Sequence, residues 1–237
     1  MLDKKLIQEK FENSINFYDK NAIIQELMAK RLCSLISKKK FENILEIGSY
    51  SGLLTKKIVN DFDFENYLAI DIVDSFDKIK NLSKKIRFQQ IDIEKFHTEE
   101  KFDLIIANAS LQWCNDFEKA IKNLKSFLKP EGILAITIFS TDNFYEIKEA
   151  FDISLKYKTI KEIENIFSKN TKILQEIHTL QFNSANNLLK HLKLTGVNAI
   201  SKEQINYCRL KKGLKLLQDK YQNKLTYKPI YIIETNI

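Results

Sequence analysis

Ile44-Leu45-Glu46-Ile47-Gly48-Ser49-Tyr50-Ser51-Gly52 joins a short apolar run to a turn, with an acid near the end of the run and two glycines in the turn. An amphipathic stretch follows directly, so the segment reads as strand, turn and helix. The chain has five glycines, and two of them fall here. Gly48 can adopt backbone angles closed to other residues, and it carries no side chain that would block a ligand at the mouth of the turn.

This unit opens an alternation. The spacing predicts a first strand at Ile44–Ile47, a helix over Leu53–Asn60, a second strand at Tyr67–Ile70 and a helix over Phe76–Lys84. A third strand is expected at Ile86–Ile91 and a fourth at Asp103–Ala107. The amphipathic helix Phe117–Leu128 is then stopped by Lys129-Pro130-Glu131-Gly132, before a nearly all-apolar fifth strand at Ile133–Phe139. Apolar strands alternating with helices predict an α/β fold built on a doubly wound, mostly parallel sheet.

Ahead of this region, Leu2–Ser37 reads as helical. Ile23, Ile24, Leu27, Met28, Leu32 and Leu35 recur at three- and four-residue spacing, and Arg31 is the polar exception. Beyond Ser140 come helical stretches, a strand at Lys172–Phe182 and a last strand at Thr226–Glu234. The expected organisation is one domain over 1–237: a helical cap (1–40), a cofactor-binding core (41–140), a lid and substrate region (141–225) and the final strand (226–237).

At 237 residues and 44% hydrophobic content, the chain is long enough for one well-buried α/β domain. No apolar run approaches the roughly 20 residues of a membrane span, and Met1–Phe17 has no apolar signal region, so a cytoplasmic protein with no membrane partner is expected. Cys33, Cys114 and Cys208 are far apart, and with three scattered histidines they give no basis for a metal site. The net charge of +7 comes with lysine far more frequent than arginine. Because the lysines are interspersed with acids along the whole chain, they read mainly as solvated surface.

Two further acids follow strand signals: Asp71 after Tyr67-Leu68-Ala69-Ile70, and Asp92 in Gln90-Ile91-Asp92-Ile93-Glu94. Taken singly, each is equally a solvated loop or helix-capping carboxylate. The strand–turn–helix resembles the first motif of Class I S-adenosylmethionine-dependent methyltransferases, acid-x-Gly-x-Gly-x-Gly, with Tyr50 standing at the middle glycine. The resemblance implies a Rossmann-like fold of seven strands with an antiparallel final strand and a helical lid. It also implies cofactor contacts from Glu46, Gly48, Gly52, Asp71 (ribose hydroxyls), Asp92 (adenine amino group) and Asn108, with S-adenosyl-L-homocysteine as the product. A dinucleotide site would want a different glycine pattern and a pyrophosphate at the helix start.

Three segments narrow the resemblance. Phe11-Glu12-Asn13-Ser14-Ile15-Asn16-Phe17-Tyr18-Asp19 is similar to the amino-terminal signature of malonyl-carrier-protein O-methyltransferases of biotin synthesis. Asn108-Ala109-Ser110-Leu111-Gln112-Trp113-Cys114 matches their Asn-x-x-x-Gln-Trp. Leu189–Ala199 and Leu225-Thr226-Tyr227 look like their late Leu-Lys-x-Thr-Gly and closing Leu-Thr-Tyr. The resemblance implies methyl transfer to the free carboxylate of malonyl-acyl carrier protein, an acidic partner that basic residues would steer.

By that resemblance Tyr18 covers the cofactor and Trp113 helps position the reactants; each is equally readable as a hydrophobic anchor or core aromatic. Lys190 and Lys193 are the candidates to hold the carboxylate, against the plainer reading of a solvated helix face. A carboxylate is already ionised at neutral pH, so no general base is required. The rival readings are a methyltransferase for another small carboxylic acid such as trans-aconitate, an RNA methyltransferase, for which there is no Asn-Pro-Pro-Tyr-like motif for a flipped base after the fourth strand, and a non-catalytic binding subunit.

Overall fold

The computed structural model describes residues 1–197 and 206–236. The chain begins with helices α1 (Lys4–Ser14), α2 (Tyr18–Asn21) and α3 (Ile23–Leu35). Five strands with three intervening helices follow: β1 (Lys40–Ile47), α4 (Leu53–Asp61), β2 (Asp63–Asp71), α5 (Phe76–Ile79), β3 (Ile86–Gln90), β4 (Phe102–Asn108), α6 (Phe117–Ser126) and β5 (Leu128–Phe139). The remainder comprises α7 (Tyr145–Phe151), α8 (Ile160–Ile166), β6 (Lys172–Gln175), β7 (His178–Gln181), α9 (Ala185–Leu194), α10 (Tyr207–Asp219), β8 (Lys224–Tyr227) and β9 (Pro229–Thr235).

Seven strands form one sheet in the order β3-β2-β1-β4-β5-β9-β6. β9 alone runs against its neighbours, pairing antiparallel with β5 (Ile136↔Ile232) and with β6 (Ile173↔Ile232). The expected mostly parallel sheet with an antiparallel final strand is present. Strand period two sorts neighbouring residues to opposite faces. Ile44, Leu104 and Ile106 enter the core under α3 and α4, whereas Leu45, Ile105 and Ala107 enter the core under α6 and α8. Such strands, buried on both faces, read as unbroken apolar runs. α6 shows the complementary helical logic: Asp116 caps its start by accepting from the Lys119 amide, and Phe117, Ala120, Ile121 and Leu124 turn inward at helical spacing.

Several expected boundaries are corrected. The amino-terminal helical segment is three helices rather than one, interrupted near Phe17 and Ala22. The helix expected to reach Lys84 is the single turn of α5. α6 stops at Ser126, before Pro130, which lies within β5; the turn there is made by Glu131 at φ 59°. The long strand expected at Lys172–Phe182 is two strands, and so is the one at Thr226–Glu234. β7 and β8 leave the main sheet to pair with each other, and Lys228 marks the crossing, its amide donating to Asn143 Oδ1. Within residues 141–225, α8 packs under the sheet and β6 is an edge strand of it. The covering elements share one core with the sheet: Phe144, Phe151, Leu188, Leu217 and Tyr227 pack in the same cluster as Ile44 and Ile106.

Register places the working end. Ile47 of β1 pairs with Ile70 of β2 and with Ala107 of β4, so the carboxyl ends of the three strands come level. Connections from β1 and β4 leave toward opposite sides of the sheet, and the crevice between them is where open α/β sheets bind ligands.

Candidate active site

The turn after β1 floors this crevice. Gly48 sits at φ 76°, and a Cβ there would fall 2.5 Å from the Ser110 Cβ, so the turn presses against the loop after β4. Ser110 Oγ donates to the Ile47 carbonyl at 3.0 Å and holds the two loops together. Tyr50, in the place of a glycine, takes φ 39°, uncommon for a side-chain-bearing residue. Its hydroxyl lies 2.6 Å from the Phe11 carbonyl and 2.9 Å from Ser14 Oγ. Its ring meets those of Phe11 and Tyr18 edge-on at 5.2 and 4.7 Å. Tyr50 thus ties the turn to the amino-terminal helices and walls the cleft with its ring.

Two acids face the cleft. Asp71 accepts from the Tyr50 amide at 3.0 Å and from the Val73 amide at 2.8 Å. Burial lifts its carboxyl to about 6, with the backbone bonds pulling the other way. Asp92 accepts from the Glu94 amide at 3.1 Å and from Lys4 Nζ at 3.3 Å. Lys4 also reaches Glu94 at 2.6 Å and the Trp113 carbonyl at 3.0 Å, which fastens α1 over the cleft.

Of the residues singled out from the sequence, Tyr18, Gly48, Asp71, Asp92, Asn108 and Trp113 line this one cleft. The Asn108 amide is held at both ends: it donates one N–H to the Gln25 carbonyl at 2.9 Å and accepts from Thr137 Oγ1 at 2.7 Å, which leaves its second N–H for a ligand. Glu46 and Gly52 lie outside the lining. Glu46 is completely buried, and one carboxylate oxygen accepts from Thr55 Oγ1 and the Tyr67 hydroxyl, both at 2.6 Å. Desolvation lifts it to about 7, and its Oε1 has no partner. Gly52, at φ 79°, starts α4 against Ile79.

Lys190 and Lys193 are not brought to the site. α9 turns Leu188, His191, Leu192 and Thr195 inward, and this phase leaves both lysines on the exposed side. The late segment's Asn198 and Ala199 lie outside the described residues. On the inward side of α9, His191 Nε2 contacts the Tyr227 hydroxyl at 2.5 Å, and burial lowers the imidazole to about 4, so it is neutral at pH 7.

Phe11, Tyr18, Ala109 and Trp113 also wall a second, smaller chamber, which is completed by Gln25, Gln112, Phe144, Tyr157, Thr195 and Val197. Lys4, Gln25 and this chamber were missed in the sequence. Lys4 meets Asp92 across 88 positions of chain, and Gln25 reads as one more polar residue of an amphipathic helix, beside Glu26.

The chemistry of the cleft is selective. The amides of Gly48 and Ser49 donate to the Ile70 carbonyl, that of Tyr50 to Asp71 and that of Gly52 to Ser49. These turn amides are therefore spent within the protein, and Asp71 occupies the position a phosphate would need. A ligand here has to bring hydrogen-bond donors or positive charge to two carboxylates, with apolar contact along Ile47, Ile70, Ile72, Ile91 and Ile93. S-Adenosylmethionine, with two ribose hydroxyls, an adenine amino group and a sulfonium, fits that set.

Sheet order and site together define the class: the fold is that of Class I S-adenosylmethionine-dependent methyltransferases. The N-methyltransferase NodS of Bradyrhizobium japonicum, solved with S-adenosyl-L-homocysteine, shares this fold at a TM-score of 0.58, over 97% of this chain and 98% of its own, with 17% identity. The methyltransferase domain family matches residues 45–136. The chain is 36% identical to the malonyl-[acyl-carrier protein] O-methyltransferase of Calditerrivibrio nitroreducens over 94% of its length and 93% of that protein. It is 30% identical to the enzyme of the same name from Chlorobium luteolum, over 98% and 95%. The chain belongs to the malonyl-[acyl-carrier protein] O-methyltransferase family.

Proposed function

We propose that the protein transfers the methyl group of S-adenosyl-L-methionine to the free carboxylate of malonyl-acyl carrier protein in the cytoplasm, with residues 1–237 working as one domain. The observation that carries this reading is the near full-length match to relatives whose names state that activity. S-Adenosylmethionine, when bound, supplies a methyl carbon on a positively charged sulfur. A carboxylate oxygen shares a lone pair with that carbon while the carbon–sulfur bonding pair stays on sulfur. The negative and positive charges cancel, and no proton moves.

The protein's own work is holding and exclusion of water. We assign the ribose hydroxyls to Asp71 and the adenine amino group to Asp92. Tyr18 and Trp113, at the junction of cleft and chamber, align the reactants. With no proton to transfer, the neutral His191 is not needed as a base. Incubation with S-adenosylmethionine and malonyl-acyl carrier protein should add one methyl to the carrier's mass, removable by mild base. An unchanged carrier, with cofactor binding intact, sinks the malonyl reading and leaves another small carboxylic acid as the acceptor.

A further inference from the structure

Within that proposed reaction, the chamber beyond Trp113 assigns a role to two amides. We infer that Gln25 and Gln112 form the seat of the reacting carboxylate, holding it through neutral hydrogen bonds rather than by a cation.

Gln25 is only 3% exposed, yet its side chain makes no hydrogen bond among the described residues, and its Oε1 is buried without a partner. Buried polar groups in folded proteins are nearly always paired, so an unbonded amide on a residue that lines a chamber marks a place for a polar ligand. The unpartnered Gln25 atom is the carbonyl oxygen, so Gln25 donates to a carboxylate with its amide turned end for end. Gln112 Nε2 donates to the Ala109 carbonyl at 2.6 Å, leaving one N–H over, and its Oε1 is likewise unpartnered. Both residues line the same chamber, which adjoins the cofactor cleft. Neither is loosely mounted: the Gln25 carbonyl accepts from Asn108 Nδ2 at 2.9 Å, and Gln112 sits one residue from Trp113 in the loop after β4.

No lysine or arginine is among the described residues lining this chamber. A primary amide offers N–H donors, and the unbonded Gln25 amide can turn either end inward. Donors on one carboxylate oxygen leave the other free to attack. A cation held against the pair would instead withdraw the negative charge on which the attack depends. The seat also empties itself. The ionised acid makes charge-assisted hydrogen bonds, the methyl ester makes only neutral ones, and the latter are about half as strong. A thioester lacking the carboxylate, such as acetyl, leaves both amides unpaired and is rejected.

The test uses the S-adenosyl-L-homocysteine complex titrated with malonyl-pantetheine and with acetyl-pantetheine, alongside steady-state methylation of malonyl-acyl carrier protein. Wild type should prefer the malonyl form by roughly tenfold or more. Gln25→Met and Gln112→Met, which keep side-chain length, should each lose most of that preference and raise KM. S-Adenosyl-L-homocysteine affinity should remain unchanged. Gln25→Glu, which opposes one negative charge with another, should abolish malonyl binding. The two methionine variants are read independently, so a folding defect in one leaves the other to decide. Ester formation by wild type, with the malonyl preference intact in a folded variant at either position, overturns the carboxylate seat and leaves the reaction standing. Absence of any ester from wild type overturns the proposed reaction, and the seat falls with it.

Discussion

The Tyr50 hydroxyl donates to the Phe11 carbonyl across 2.6 Å, joining the turn after β1 to the first helix. A residue that departs from the glycine pattern of the first motif thus supplies a contact between floor and cap of the cleft. Tyr50→Phe keeps the ring and removes this bond and the one to Ser14 Oγ. A net hydrogen bond is worth about 0.5–1.5 kcal/mol, so S-adenosylmethionine should bind several-fold more weakly. Tyr50→Gly, which relieves the positive φ but removes the wall, should bind more weakly still, with faster amide exchange in 4–14. Titration calorimetry and hydrogen exchange check both; unchanged values would show that the strut contributes nothing.

Asp71 ties its own loop and faces the ribose position. Its carboxyl stands at about 6 in the ligand-free protein, and only the ionised form can accept from both hydroxyls. Cofactor affinity should therefore be flat above pH 7 and fall as pH drops below about 6, approaching tenfold per pH unit. Asp71→Asn should remove the dependence and weaken binding at neutral pH about tenfold or more. A Kd that does not change between pH 7.5 and 5 would separate Asp71 from the cofactor.

Glu46 makes a stability prediction of unusual sign for a carboxylate. Burial raises it from 4.5 to about 7, so the folded state keeps a proton that the unfolded chain has already lost. Its stabilising contribution is complete below about pH 4.5 and is lost as pH rises through 7. The span corresponds to on the order of 3 kcal/mol. Glu46→Gln should flatten the melting temperature over this window and raise it at pH 8. A melting curve whose pH slope is unaltered by the substitution contradicts this account.

Lys4 bridges Asp92, Glu94 and the Trp113 carbonyl from the first helix. Lys4→Met should free the amino-terminal helices without unfolding the sheet. The expected result is faster proteolytic cleavage within the first 17 residues and a several-fold rise in the cofactor Kd. A cleavage rate equal to wild type would mean that the cap is held without Lys4, by contacts such as Tyr50 with Phe11, Lys78 with Asn16 and Lys56 with Asp19.

Much of this arrangement was legible in the sequence, for identifiable reasons. Strands buried on both faces announce themselves as apolar runs, and carboxylates after successive strands need only local counting to find Asp71 and Asp92. The inward phase of α9 was equally local: Leu188, His191, Leu192 and Thr195 share a face, and that spacing alone excludes Lys190 and Lys193 from it. What was not legible depends on chain brought together from afar. Strand propensity continues through Lys228, but β8 and β9 pair with partners in different sheets. The Lys4 contacts and the Gln25–Gln112 chamber exist only once α1 and α3 are folded over the end of the sheet.

The exposed position of Lys190 and Lys193 has a direct consequence. Lys190→Ala and Lys193→Ala should leave methylation of malonyl-pantetheine within about twofold of wild type, since exposed lysines change local energetics little. A loss confined to malonyl-acyl carrier protein, relieved by added salt, would place them in carrier docking. A large loss on the small substrate would return them to the site.

The most direct measurement is kcat/KM for methyl ester formation on malonyl-acyl carrier protein, malonyl-coenzyme A and trans-aconitate, with purified protein and S-adenosylmethionine. The account predicts base-labile methylation of the malonyl carboxylate, fastest on the carrier protein, with trans-aconitate unmodified. Efficient methylation of trans-aconitate with none on either malonyl thioester would contradict it.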